Sequence, residues 1–162
     1  MEWSPMKREI SARKMFDVSW QDLLDSQPFY GAKMFSLEIV ETSSIPTMAT
    51  DGKRLLYNPE FALSLGRKQC TFVELHEMLH VVFLHHVISA EMKKELGDNY
   101  DHHQFNVAAD YEINQIIVRL IKEGGISLYE MPDDLLFDER FDGMLLREIY
   151  FILESEKVSR PP

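Results

Sequence analysis

The sequence predicts an α+β fold, a small mixed β-sheet beside a central helix and a second long helix, and three observations carry that expectation. Asp51-Gly52 separates two short strand-competent runs, a strong short-range hairpin signal. After Thr71, the apolar residues Phe72, Leu75, Leu79, Val82, Phe83 and Val87 recur at helical spacing. A second apolar face, Val107, Ile113, Ile116, Ile117 and Leu120, leads to Gly124-Gly125, a pair suited to cap a helix C-terminus.

Taken in order, residues 1–30 form an N-terminal helical segment, in which Met6, Ile10, Met15, Val18 and Leu23 suggest one or two amphipathic turns. Residues 31–156 hold the main domain and 157–162 a tail. Met34–Val40 reads as a strand, because Phe35, Leu37 and Ile39 alternate with Ser36 and Glu38. The hairpin follows, then Asn58-Pro59, with Pro59 opening a short helix that Gly66 ends after Leu65. Thr71 with Glu74 three residues on has the capping-box pattern, which starts the central helix and carries it to about Met92. The second long helix spans about His103–Glu123. After a loop around Pro132, a last helix runs from about Met144 to Ser155.

Composition narrows the function. At 162 residues and 45% hydrophobic, the chain can bury a core without disulfide staples. A net charge of −10 argues against a nucleic-acid partner, since phosphate backbones need a basic surface. Residues 126–156 hold nine acids against Arg140 and Arg147, so most of that charge is C-terminal and reads as a solvated face. The single Cys70 forms no intramolecular disulfide and reads as a small buried residue. No apolar signal region opens the chain, and no apolar run approaches the roughly 18–20 residues of a membrane span. The expected setting is cytoplasmic, with no membrane contact.

All six histidines lie between 76 and 103, and two belong to His76-Glu77-Met78-Leu79-His80. Residues four apart share a helix face, so both imidazoles can reach one ion, zinc by donor type. Glu77, rotated by about 100°, can address a water beside that ion without ligating it. This is the pattern of metal-assisted hydrolysis: the ion polarises a carbonyl and acidifies a water, and the carboxylate moves the proton. Chance yields the pattern in roughly 2% of such compositions.

Two histidines leave the ion short of a third protein ligand. His86 lies six residues after His80, but Phe83 stands where that arrangement needs a helix-breaking glycine. In a continuing helix His86 points away. His102 and His103 read as loop residues. Asp110 belongs to a stripe, Asn106, Asp110 and Asn114, on an otherwise apolar helix, with Ala108 and Ala109 leaving room for close approach. Glu112 is its nearest rival.

Three stretches together resemble a known family. They are Thr47–Gly52 with Leu56–Phe61, His76–His80 through His85, and Asn106–Asn114, with a weaker echo at Arg147–Leu153. The chain resembles the metallopeptidase family of bacteria and their phages that usually lies N-terminal to a von Willebrand A-like domain. The resemblance implies a zincin-like fold with the Asp51-Gly52 hairpin near the cleft. It also implies His76, His80 and Asp110 as ligands of Zn2+ and Glu77 as general base, acting on a peptide or protein substrate. Because the chain stops at Pro162, it is expected to be a stand-alone member or an excised domain lacking the companion. The competing expectation is a catalytically silent metal-binding module of the same fold that recruits a protein partner. For the transition-state donor the sequence offers Tyr57, Tyr100, Tyr111, Tyr129 and His85.

Overall fold

The computed structural model describes residues 10–124 and 129–159. Six helices, α1 (Ala12–Ser26), α2 (Pro28–Lys33), α3 (Pro59–Val82), α4 (His85–Leu96), α5 (His102–Gly124) and α6 (Leu146–Ser159), surround a three-stranded sheet. Its strands are β1 (Glu38–Glu41), β2 (Met48–Thr50) and β3 (Arg54–Tyr57) in the order β1-β3-β2. β3 pairs parallel with β1 and antiparallel with β2, so the sheet is mixed and the fold is α+β as expected. Among the described residues, no helix is long and apolar enough to cross a membrane.

The hairpin forms where Asp51-Gly52 predicts it. Asp51 Oδ1 accepts from the backbone N–H groups of Lys53 and Arg54, and Gly52 takes φ +88°. That residue also leaves space: a Cβ on Gly52 would stand 2.7 Å from the His86 ring. Asn58 caps α3 by accepting from the Phe61 N–H, with Pro59 at the first turn. Gly66 (φ 72°, ψ 176°) kinks α3 where the sequence predicts a helix end.

Four expectations need correction. The N-terminal helix is a full 15-residue element, not one or two turns, because Phe16 and Leu23 are completely buried against α3. Met34–Ser36 is a 3-10 turn rather than strand, leaving Phe35 exposed, and pairing begins only at Glu38. Thr71 and Glu74 do not cap a helix. Both are fully buried inside α3, where Thr71 Oγ1 donates to the Arg67 and Ser19 carbonyls and Glu74 accepts from Ser19 Oγ. Tertiary packing on α1 thus overrides a local cap pattern. Finally, the central helix does not run to Met92. It stops at Val82, and Leu84 adopts a left-handed conformation (φ 54°, ψ 37°) that starts α4 in a new direction. Gly125, the second half of the expected cap, lies outside the described residues.

Two apolar clusters result. One joins α1, the sheet and α3 to Ile113 and Ile117 of α5. The other joins Met92, Phe105, Ala108 and Ala109 to Phe141, Leu146, Ile149 and Tyr150. α5 belongs to both, and residue 110 sits at their junction. Buried Asp22 ties α1 to Arg67 through a two-pronged ion pair of 2.6 and 2.7 Å. Three of the C-terminal acids are engaged by arginine: Arg140 pairs with Asp138 and Glu156, and Arg119 with Asp142.

Candidate metal centre

His76 and His80 stand on one face of α3, one turn apart, as their spacing dictates. α5 crosses antiparallel: His76 Nδ1 lies 2.8 Å from Asn114 Oδ1, and His76 Nε2 lies 3.0 Å from Asp110 Oδ1, one turn earlier on α5. The stripe read from sequence therefore turns to the imidazoles. His80 Nε2 is 3.0 Å from His76 Nε2 and 3.2 Å from Asp110 Oδ1. Three donor atoms thus form a nearly equilateral triangle. Tetrahedral zinc with bonds of about 2.0–2.1 Å requires donor–donor edges of about 3.3–3.4 Å, so a shift of a few tenths of an ångström accommodates it. The donor chemistry fits as well, since two nitrogens and a carboxylate oxygen converge on one point with the second ring nitrogen of each imidazole engaged elsewhere.

Electrostatics follow from this packing. Burial pulls His80 down to about 4, reinforced by the neighbouring His76 and His85 and opposed by Asp110. Burial also acts to lower His76, but its hydrogen bond to Asp110 and the nearby carboxylates leave it raised. Asp110 is held below the ordinary carboxylate range, because bonds from both imidazoles outweigh its burial. Glu77 is 7% exposed and has no hydrogen-bond partner among the described residues. Burial, with Asp110 adding and His76 opposing, raises its carboxyl to about 7.

The three donors and Glu77 line a cavity of about 850 Å³. One end is apolar, built from Phe61, Leu65 and Val73 of α3 with Leu135 and Leu136 opposite. The other end is polar, carrying His86 and Ser89 of α4 with His102 and Asn106 of α5. The β2 residues Met48–Thr50 form part of the wall, and β2 is an edge strand.

Several residues read as bystanders or alternatives occupy other places. His86 is outside the donor triangle yet lines the cavity, because the helix breaks at Leu84 and α4 turns back beside Gly52. His102 lines it too, eight residues before Asp110, and so extends the stripe of Asn106, Asp110 and Asn114 by one more turn. That periodicity was a legible signal. His103 faces a separate groove between α5 and α6. Glu112 is not at the triangle: its carboxylate is 2.8 Å from His85 Nε2, behind His80. His85 itself is 3% exposed, with Nδ1 2.8 Å from His80 Nδ1, so both its nitrogens are occupied. Among the tyrosines considered as donors, Tyr57 bonds Glu41, Tyr100 bonds Ser89, Tyr129 pairs with Ser26 and Tyr111 packs on Phe141; none lines the cavity. Cys70 is fully buried beside Ser19 and Glu74, and burial pushes its thiol up to about 12, the small core residue expected.

Comparison with known proteins agrees with this chemistry. No curated protein and no solved structure matches the chain. Residues 13–157 match the model of a family described as "Putative metallopeptidase domain", a stretch that includes both ligand-bearing helices, the hairpin and all of α1 but Ala12. With nearly its whole length covered by that match, the chain belongs to this metallopeptidase-domain family.

Proposed function

We propose that the chain is a zinc-dependent peptidase of zincin-like design, with His76, His80 and Asp110 holding the ion and Glu77 as general base. The observation that carries this reading is the triangle of two Nε2 atoms and Oδ1 beside an unbonded, buried carboxylate on a cavity wall. Metal binding alone has no use for that carboxylate, whereas hydrolysis does. A bound zinc ion would polarise a carbonyl and lower the pKa of water. Glu77, facing the cavity with its pKa raised toward 7, accepts a proton from the attacking water and passes it to the leaving amine. Asp110, held ionised, contributes negative charge to the donor set. His86 and His102 offer ring donors on the polar wall for charge developing on the carbonyl oxygen.

A peptide substrate suits the cavity's shape. The edge strand β2 along its wall can pair with an extended chain by strand addition. A von Willebrand A-like companion domain belongs to the same proposal, as a partner of the catalytic unit. The deciding experiment compares wild type with Glu77→Gln for zinc content and for hydrolysis of unstructured protein. Equal zinc with cleavage lost on substitution supports the reading. Zinc bound with no cleavage by either protein replaces it with the silent interaction module, and absence of zinc in both overturns the site.

A further inference from the structure

We infer that His85, Glu112 and Asn114 are positioning residues that lock both site imidazoles in the tautomer able to ligate an ion, and that the segment after α5 anchors both locks. The inference deepens the proposed function and rests on its ion site.

The argument is a proton inventory. Asn114 Nδ2 donates to the Leu136 carbonyl at 2.8 Å, which fixes the amide orientation and turns Oδ1 toward His76. An amide oxygen only accepts, so His76 donates from Nδ1; an ion in the triangle would replace the hydrogen bond from Nε2 to Asp110 and meet a bare Nε2. On the other side, Glu112 Oε2 accepts from the Leu146 backbone N–H at the first turn of α6. Its Oε1 accepts from His85 Nε2–H at 2.8 Å. With its proton on Nε2, His85 offers a lone pair on Nδ1, which accepts from His80 Nδ1–H at 2.8 Å. With an ion in place of its contact to Asp110, His80 Nε2 would be bare as well. Behind the triangle every link is closed by a partner of the right sense, and the middle ones are buried: His85 is 3% and Glu112 8% exposed. In such surroundings a mispaired donor is costly, so the arrangement selects one tautomer strongly.

Both chains end on backbone groups of the C-terminal region, the Leu136 carbonyl and the Leu146 amide. The acidic segment thus has an inner side that holds the site in register. Leu84 makes this geometry available, since its left-handed turn returns His85 to His80 five residues later.

The test begins with unsubstituted, zinc-loaded protein at mildly alkaline pH, with histidine tautomers read from long-range 15N–1H correlation spectra. His76 and His80 protonated on Nδ1 and His85 protonated on Nε2 is the expected result; His85 protonated on Nδ1 overturns the inference. Zinc affinity, measured by competition with a chromophoric chelator, follows for three variants. His85→Leu should weaken binding about 10–100-fold, the usual cost of losing such a support. His85→Gln should recover much of it, because its amide can both accept from His80 and donate to Glu112. Glu112→Leu should resemble His85→Leu. Wild-type affinity in His85→Leu, or a glutamine variant no better than leucine, overturns the inference. Should the leucine variants fail to fold, the tautomer of the unsubstituted protein decides. Failure of wild type to take up zinc sinks the proposed function instead, whereas zinc uptake with His85 protonated on Nδ1 sinks this inference alone.

Discussion

Asp110 follows His76 by 34 residues, yet its Oδ1 lies 3.0 Å from His76 Nε2 and 3.2 Å from His80 Nε2, so that α5 completes what α3 begins. Removing either side of these contacts should empty the site. Asp110→Ala and His80→Ala are expected to lose the zinc that wild type retains through gel filtration, measured by elemental analysis. His86→Ala should keep it, since His86 lines the cavity outside the triangle. Zinc retained by Asp110→Ala and lost by His86→Ala would relocate the third ligand. The same site makes stability metal-dependent: chelation should lower Tm, because an ion bound only to the folded state stabilises by mass action. Acid should release the ion progressively, as protons compete for the imidazoles.

The cavity's two ends predict cleavage preference. Phe61, Leu65, Val73, Leu135 and Leu136 form an apolar end, so peptides with a large apolar residue on one side of the scissile bond should be favoured. Leu136 is 37% exposed and can be changed at little structural cost. Leu136→Arg should raise KM for such peptides about 10-fold, the scale of one lost apolar contact of roughly 1–3 kcal/mol. Zinc content should be unchanged, because Leu136 serves Asn114 through its backbone carbonyl. An unchanged KM in steady-state assays would place the apolar contacts of the substrate elsewhere.

The sequence made the helix pair, the hairpin and the polar stripe visible because each is a local pattern: His76/His80 by i, i+4 spacing, Asp51-Gly52 by turn chemistry, and Asn106, Asp110 and Asn114 by period four. What stayed hidden depends on contacts across the chain. Thr71 and Glu74 carry a cap pattern, but Ser19 of α1 buries them inside a longer helix. Leu84 has no local signature of a left-handed turn, so the end of α3 and the return of His85 were both invisible. Glu112 looked like a rival ligand because both it and Asp110 are acids on one helix. Only the position of His85 shows that it faces the back of the site.

Glu74 predicts a pH-dependent stability unrelated to catalysis. Its carboxyl is fully buried, accepts from Ser19 Oγ and leaves Oε2 without a partner among the described residues. Burial raises its pKa well above the ordinary value, so the folded state holds a proton that the unfolded state releases. Stability from this group is therefore complete below the ordinary glutamate pKa and declines as pH rises from there toward the folded value, by up to about 1.4 kcal/mol per pH unit. Glu74→Gln should abolish that slope and be the more stable protein at the alkaline end. Denaturant titrations from mildly acidic to mildly alkaline pH, run in chelator so that ion binding adds no slope, check this. Parallel curves for the two proteins would mean Glu74 is ionised in the fold.

Two backbone positions predict opposite responses. Gly66, at φ 72° and ψ 176°, occupies a region open essentially to glycine alone, and a Cβ there would meet nothing within 4 Å. Gly66→Ala is thus a test of backbone strain free of steric contact, with an expected cost of about 1–3 kcal/mol. At roughly 2–4 °C per kcal/mol for a chain of this size, the melting point should fall measurably. Leu84 pays the reverse penalty: it holds a left-handed conformation with a side chain 53% exposed. Leu84→Gly relieves roughly 1–2 kcal/mol of strain against a smaller gain of unfolded-chain entropy. Its melting point should be equal to wild type or higher, with zinc affinity retained. A fall of several degrees would show that Leu84 contributes packing beyond its turn, and a loss of zinc would show that its side chain helps steer His85 onto His80.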